Sequence, residues 1–133
     1  MTRINIGIKP QKLTDKHLLA EHREIKRIPN HLKKYGEKCL TNIPESFKLG
    51  TGHVKFFLNK GEYTFIRYLQ LYQECKNRGF NVTDYSQNWN IYNDYNFKNL
   101  WNDYAPTIED VNLIEQRINE RLSVSKFHNQ LKN

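Results

Sequence analysis

The stretch between Gly61 and Gly79 constrains the fold most. It reads EYTFIRYLQLYQECKNR and places Phe65, Tyr68, Leu69, Tyr72 and Cys75 three or four residues apart. Side chains at those spacings share one face of a 3.6-residue helix. Gly79 is a natural stop, because glycine takes up the left-handed conformation that closes a helix. A helix with one apolar face must bury it against other elements. Those elements are not strands, because no long run of alternating apolar and polar residues occurs in the chain.

Two more segments read as helix. The first opens at Thr14-Asp15, good N-cap types, and runs through LLAEHREIKRI to a predicted stop at Pro29. Whether it restarts into HLKKYG is open. Another follows Pro106, where Thr107 with Asp110 three residues on resembles a capping box and Ile108, Val111, Ile118 and Leu122 mark an apolar face. Residues 85–104, rich in Tyr, Asn and Trp, read either as a stacking surface for bases or as an irregular segment whose aromatics dock on the helices. Docking is the favoured reading. At 133 residues the chain has room for one core. The expected fold is all-α, a single compact domain spanning residues 1–133, with about three main helices joined by long loops.

Charge narrows the partners. Lys+Arg number 21 against Asp+Glu 14, a formal +7, so a polyanion is the first partner to consider. Charge alone leaves a surface kept basic for solubility as an equal reading. Cys39 and Cys75 lie far apart with no C-x-x-C, as expected of two reduced thiols. The five histidines lack metal-ligand spacing, so neither metal nor cofactor is expected. No apolar run suggests a leader or a membrane span, and the protein is expected to be intracellular.

One helix face groups chemistry-bearing residues. At about 100° per residue, Ala20, Arg23, Glu24 and Arg27 fall together, with His17 upstream, while Leu18, Ile25 and His22 point to the core. Taken alone, such a face reads as solvated and laced with paired charges. Gly50-Thr51-Gly52-His53 reads as a tight, closely packed turn rather than a phosphate cradle.

Several blocks nevertheless occur in a telling order. The opening MTRIN, HLLAEHREIKR at 17–27, LGTGHVKFF at 49–57, ECKNRGFNVTD at 74–84, DYAP at 103–106 and the R-x-x-x-R at 117–121 resemble the phage pyrimidine-dimer glycosylase/AP-lyase family, the endonuclease V of the phage type. The likeness runs along nearly the whole chain. It implies a bifunctional DNA N-glycosylase and AP lyase that acts as a monomer on double-stranded DNA containing a lesion. In that family Met is removed and the next residue's α-amine attacks C1′, which implies Thr2 as nucleophile. An α-amine with a reference pKa of ~7.7–8.0 is partly neutral near pH 7, as the attack requires. The family's carboxylate falls on Glu24, implied to stabilise the cationic sugar and to assist proton transfers. Arg3, His17, Arg23 and Arg27 match positions that hold phosphates or border the site, and Arg117 and Arg121 match positions that contact the DNA backbone.

The tail departs from the family. The family tail is rich in Trp and Tyr, whereas VSKFHNQLKN keeps only Phe127 and His128 as flat side chains, which leaves Phe127 as its main apolar contact to the lesion. Two alternatives therefore stand beside repair of UV-induced dimers: the same amine chemistry on another damaged or modified base, and a catalytically silent DNA-binding domain.

Overall fold

A computed structural model of the chain describes residues 3–132, with side chains through Arg121. Among the described residues the secondary structure is helical throughout, with α1 (Asp15–Glu24), α2 (Arg27–Tyr35), α3 (His53–Phe57), α4 (Gly61–Asn77), α5 (Ile108–Lys132) and four short 3-10 segments. The all-α expectation holds. The chain divides into two compact units, Met1–Ile4 with Lys9–Tyr104 and Asn5–Ile8 with Ala105–Asn133. No helix among the described residues is long and apolar enough to cross a membrane.

In the first unit, Thr14 caps α1 by accepting the His17 N–H on its hydroxyl, and Asp15 follows where the helix dipole favours an anion. The first helix does not run to Pro29. It ends at Glu24, and a second helix begins at Arg27 with Pro29 inside its first turn. Proline has no N–H to offer the Ile25 carbonyl four residues back. The Ile28 N–H takes that carbonyl instead, at 3.2 Å. The ladder therefore breaks ahead of the proline, which is tolerated in a first turn because amides there lack intrahelical partners. Leu18, Ile25, Ile28 and Leu32 line the buried side of both helices.

The α4 stripe is displaced from its expected position. Tyr68 and Cys75 are buried as expected, but Leu69 is 44% exposed and Phe65 and Tyr72 are only half-buried. The face that packs inward carries Gly61, Thr64, Arg67, Tyr68, Leu71, Glu74 and Cys75. Two charged residues can sit there because each has a partner: Arg67 bonds Glu21, and Glu74 bonds Arg78. Gly79 closes the helix as expected, in the left-handed region at φ 83°. Its own N–H bonds the Lys76 carbonyl, and that of Phe80 bonds the Cys75 carbonyl.

Residues 85–104 dock. Two 3-10 segments, Ser86–Asn93 and Tyr95–Leu100, bury Trp89, Tyr92, Phe97 and Leu100. The Trp89 indole N–H donates to the Thr64 hydroxyl and the Tyr92 hydroxyl to the Leu58 carbonyl, so each ring's polar end is satisfied. Gly61 is required here, because a Cβ would come within 2.7 Å of the Tyr92 ring.

In the second unit, α5 starts with the expected capping box. The Thr107 N–H donates to Asp110 and the Asp110 N–H to the Thr107 hydroxyl, both at 3.1 Å. The apolar face shifts: Ile114 is fully buried, Val111 and Ile118 are half-buried, and Ile108, the first residue of the helix, is 76% exposed. Leu122 lies outside the residues with described side chains.

Candidate active site

Within the first unit, His53 ties Ile4 to α3. Gly50 at φ 70° and Gly52 at φ 93° turn the chain into α3, as the turn reading required. The turn sets the His53 ring among Phe47 and Phe57 at centroid distances of 5.4 and 5.3 Å. Its Nδ1–H donates to the Lys48 carbonyl at 2.7 Å, and its Nε2 accepts the Ile4 N–H at 2.8 Å. One donor and one acceptor define a neutral imidazole with a fixed tautomer. Burial lowers the ring's pKa, against the hydrogen bond to Lys48, which raises it; the Arg3 charge lowers it further and the Glu21 charge raises it. The ring is thus neutral at physiological pH.

Beneath this clamp, α1 and α4 are joined by an ion pair. Arg67 Nε reaches Glu21 Oε2 at 2.7 Å and Nη2 reaches Oε1 at 3.0 Å. This is the two-point geometry of a guanidinium fork. Neither residue belongs to the expected site. The signal for Glu21 is its place three residues after Leu18 and four before Ile25, on the core stripe, where a carboxylate needs a buried cation.

Glu24 is the last residue of α1, and its side chain is 15% exposed. The Arg23 guanidinium approaches it only to 4.0 Å and is itself 62% exposed. Glu24 is therefore partly desolvated without a close ion-pair lock to Arg23, a setting that lets a carboxylate respond to charge developing beside it. Arg27 opens α2 on the far side of the break, so Ala20, Arg23, Glu24 and Arg27 do not lie along one continuous helix face as expected. Arg23 and Arg27 are exposed, and Ala20 is half-buried. His17, half-buried, shares a 2.7 Å hydrogen bond between Nδ1 and the Thr14 hydroxyl, which places it at the α1 cap. Arg3 is half-buried.

Thr2 lies outside the described residues, as does the Phe127 side chain. In the second unit, Arg117 and Arg121 stand four apart on α5, which puts them on one side of that helix. Arg121 is exposed; Arg117 is half-buried, and its Nε has no hydrogen-bond partner among the described residues.

A second amine was not anticipated. Lys60 sits past the end of α3, where its Nζ donates to the Phe56 carbonyl and the Asn59 side chain, both at 2.9 Å, and lies 3.7 Å from the Phe56 ring centroid. Burial lowers its pKa. Its donors are spent on the helix end and the ring, which suits a structural cap more than a nucleophile. Among the described residues no cluster of His, Cys, Asp or Glu could hold a metal ion. Cys75 is buried and Cys39 half-buried, both as free thiols.

The clamp, the Glu21–Arg67 pair, the Arg23–Glu24 helix end and Arg27 of α2 all fall within the first 88 of 133 residues, the span matched by a family model described as pyrimidine dimer DNA glycosylase. The chain belongs to the pyrimidine dimer DNA glycosylase family.

Proposed function

We propose that the protein cuts a glycosidic bond at UV-induced pyrimidine dimers and then the strand, through an imine formed by the α-amine of Thr2. Family membership makes it an enzyme of damaged DNA. The observation that carries the finer reading is the hydrogen bond from the Ile4 N–H to His53, which fixes the backbone two residues from Thr2 in the same unit as Glu24.

In this reading the neutral Thr2 nitrogen forms a bond to C1′ while the glycosidic bond breaks. The base leaves C1′ with the bonding pair and takes up a proton, while the cyclobutane ring keeps it joined to its dimer partner. Transfer of a proton from nitrogen to O4′ as the C1′–O4′ bond opens gives a protonated imine, whose C2′ hydrogen is acidified. Removal of that hydrogen expels the 3′ phosphate by β-elimination. Glu24 opposes the positive charge on the sugar and shuttles the protons. Arg3, Arg23 and Arg27 hold phosphates around the lesion, His17 borders them, and Arg117 and Arg121 grip the duplex backbone. Phe127 stacks on the distorted bases. Residues 1–133 act as one functional domain and a monomer inside the cell, with no metal or cofactor.

The test is cleavage of one duplex with and without a single cyclobutane dimer, beside duplexes carrying abasic sites and modified cytosines. Dimer-dependent cleavage supports the reading. Strong cleavage of a modified base with none of the dimer transfers the same chemistry to another substrate, the reading favoured by the loss of Trp and Tyr from the tail.

A further inference from the structure

We propose that His53 is a positioning residue for the nucleophile, holding the N-terminal segment in register only while its imidazole is neutral and its Nε2 can accept the Ile4 N–H. The inference rests on the Thr2 imine reading.

The geometry leaves the ring no slack. Nδ1 is committed to the Lys48 carbonyl, so Nε2 is the acceptor, and the Ile4 amide is its donor at 2.8 Å. Ile4 is fully buried and His53 nearly so, at 2% exposure. Water is therefore a poor substitute on either side, and an unmet Ile4 N–H would be left in the interior. Protonating Nε2 turns the acceptor into a donor that faces another donor. The chain must then move at Ile4, and everything N-terminal to it moves as well. Displacements of about 1 Å at a reacting group can slow a reaction about 100-fold.

The charges around the ring set when this happens. Phe47 and Phe57 contribute none, the Arg3 guanidinium opposes a second positive charge, and Glu21 favours it. Glu21 is already bonded twice by Arg67, which leaves burial to keep the ring neutral. Protonation therefore comes below the ordinary imidazole value of about 6.5.

The proposal predicts two proton dependences on one rate. The Thr2 amine must be neutral, which gives a plot of log rate against pH a slope of one below about pH 7.7. His53 adds a second proton on the acid side, where the slope steepens toward two. The readout is the single-turnover rate of borohydride-trapped adduct on a duplex with one abasic site, from pH 5 to 8, with duplex affinity and melting measured alongside. His53→Phe keeps a flat apolar ring but no acceptor. It should lose about 10- to 100-fold in rate at pH 7.5, keep affinity within about threefold and hold a slope of one throughout. His53→Gln offers an acceptor and a donor and cannot ionise, so it should recover most of the rate, again with a slope of one. If His53→Phe fails to fold, His53→Gln decides alone: a persistent second slope overturns the proposal, and its disappearance supports it. A wild-type rate and profile in His53→Phe also overturns it. Absence of any adduct with the wild-type protein overturns the imine reading instead.

Discussion

Arg67 reaches across from α4 to hold Glu21 of α1 by two hydrogen bonds of 2.7 and 3.0 Å, with side chains 5% and 0% exposed. Both charges have left water, so the pair stabilises by joining α1 to α4, while the desolvation it requires offsets much of the attraction. Removing one partner strands the other. Glu21→Leu or Arg67→Met should each destabilise the protein by about 3–5 kcal/mol, whereas Glu21→Leu combined with Arg67→Met should recover most of that loss. Urea unfolding of the four proteins reads the cycle. Additive losses in the double variant would show that the two residues act independently.

His22 supplies a test of pH dependence. It is buried among Tyr68, Tyr72 and Tyr85 at ring distances of 5.5, 6.0 and 5.2 Å, and its Nε2 has no partner among the described residues. Burial lowers its pKa, and Lys26 lowers it further, while Asp84 and a hydrogen bond to the Thr83 backbone raise it. Because the folded value lies below the unfolded one, the unfolded state binds the proton first on acidification. The stability this group contributes is full above about pH 6.5 and is lost as pH falls from there through the folded value. His31 and His53 are lowered as well and act with the same sign. Melting temperature should fall between pH 7 and 5, and His22→Phe should shrink that fall without destabilising the protein at pH 7. An unchanged slope in His22→Phe would remove His22 from the account.

Gly61 tests the docking of residues 85–104. Its ideal Cβ would lie 2.7 Å from the Tyr92 ring, whose hydroxyl is anchored on the Leu58 carbonyl. Gly61→Ala should cost about 1–3 kcal/mol by overpacking, despite alanine's better helix propensity. Denaturant unfolding measures it, and a neutral or stabilising result would mean the segment sits more loosely than described.

Salt dependence probes the second unit. Arg117→Ala and Arg121→Ala should each reduce the slope of log affinity against log salt by about 0.9, the share of one phosphate, while leaving lesion preference alone. Unchanged slopes would take both arginines off the DNA backbone.

The parts of this molecule that follow local rules are legible in the sequence. The Thr107–Asp110 box, the Gly79 stop and the paired glycines before His53 each depend on a few neighbouring residues, and each lies where expected. What spacing misses depends on contacts distant in sequence. The α4 face cannot be placed from apolar spacing alone, because Arg67 and Glu74 occupy it by virtue of Glu21 and Arg78. Pro29 reads as a stop, although its missing N–H is harmless in a first turn, and the real break lies where the Ile25 carbonyl loses its usual donor. Of the proposed site, the resemblance supplies the residues Arg3, Arg23, Glu24 and Arg27. The partner of the His53 ring, 49 positions away at Ile4, leaves no trace in spacing.

In the proposed mechanism Glu24 bears on chemistry rather than affinity. Its carboxylate is partly buried, with Arg23 no nearer than 4.0 Å. Glu24→Gln should therefore bind damaged duplex with little change and slow base release by about 10²–10⁴ or more. A single-turnover rate within tenfold of wild type would make Glu24 a structural residue.

The proposed nucleophile is the Thr2 amine, and its most direct measurement is the site of the trapped adduct. Protein reduced with borohydride on an abasic-site duplex is digested and mapped by mass spectrometry. The reacted protein should lack Met1 and carry the sugar remnant on the peptide beginning at Thr2, with Lys60 unmodified. An adduct on Lys60 or another lysine, or full trapping by protein that retains Met1 or an acetylated terminus, would contradict it.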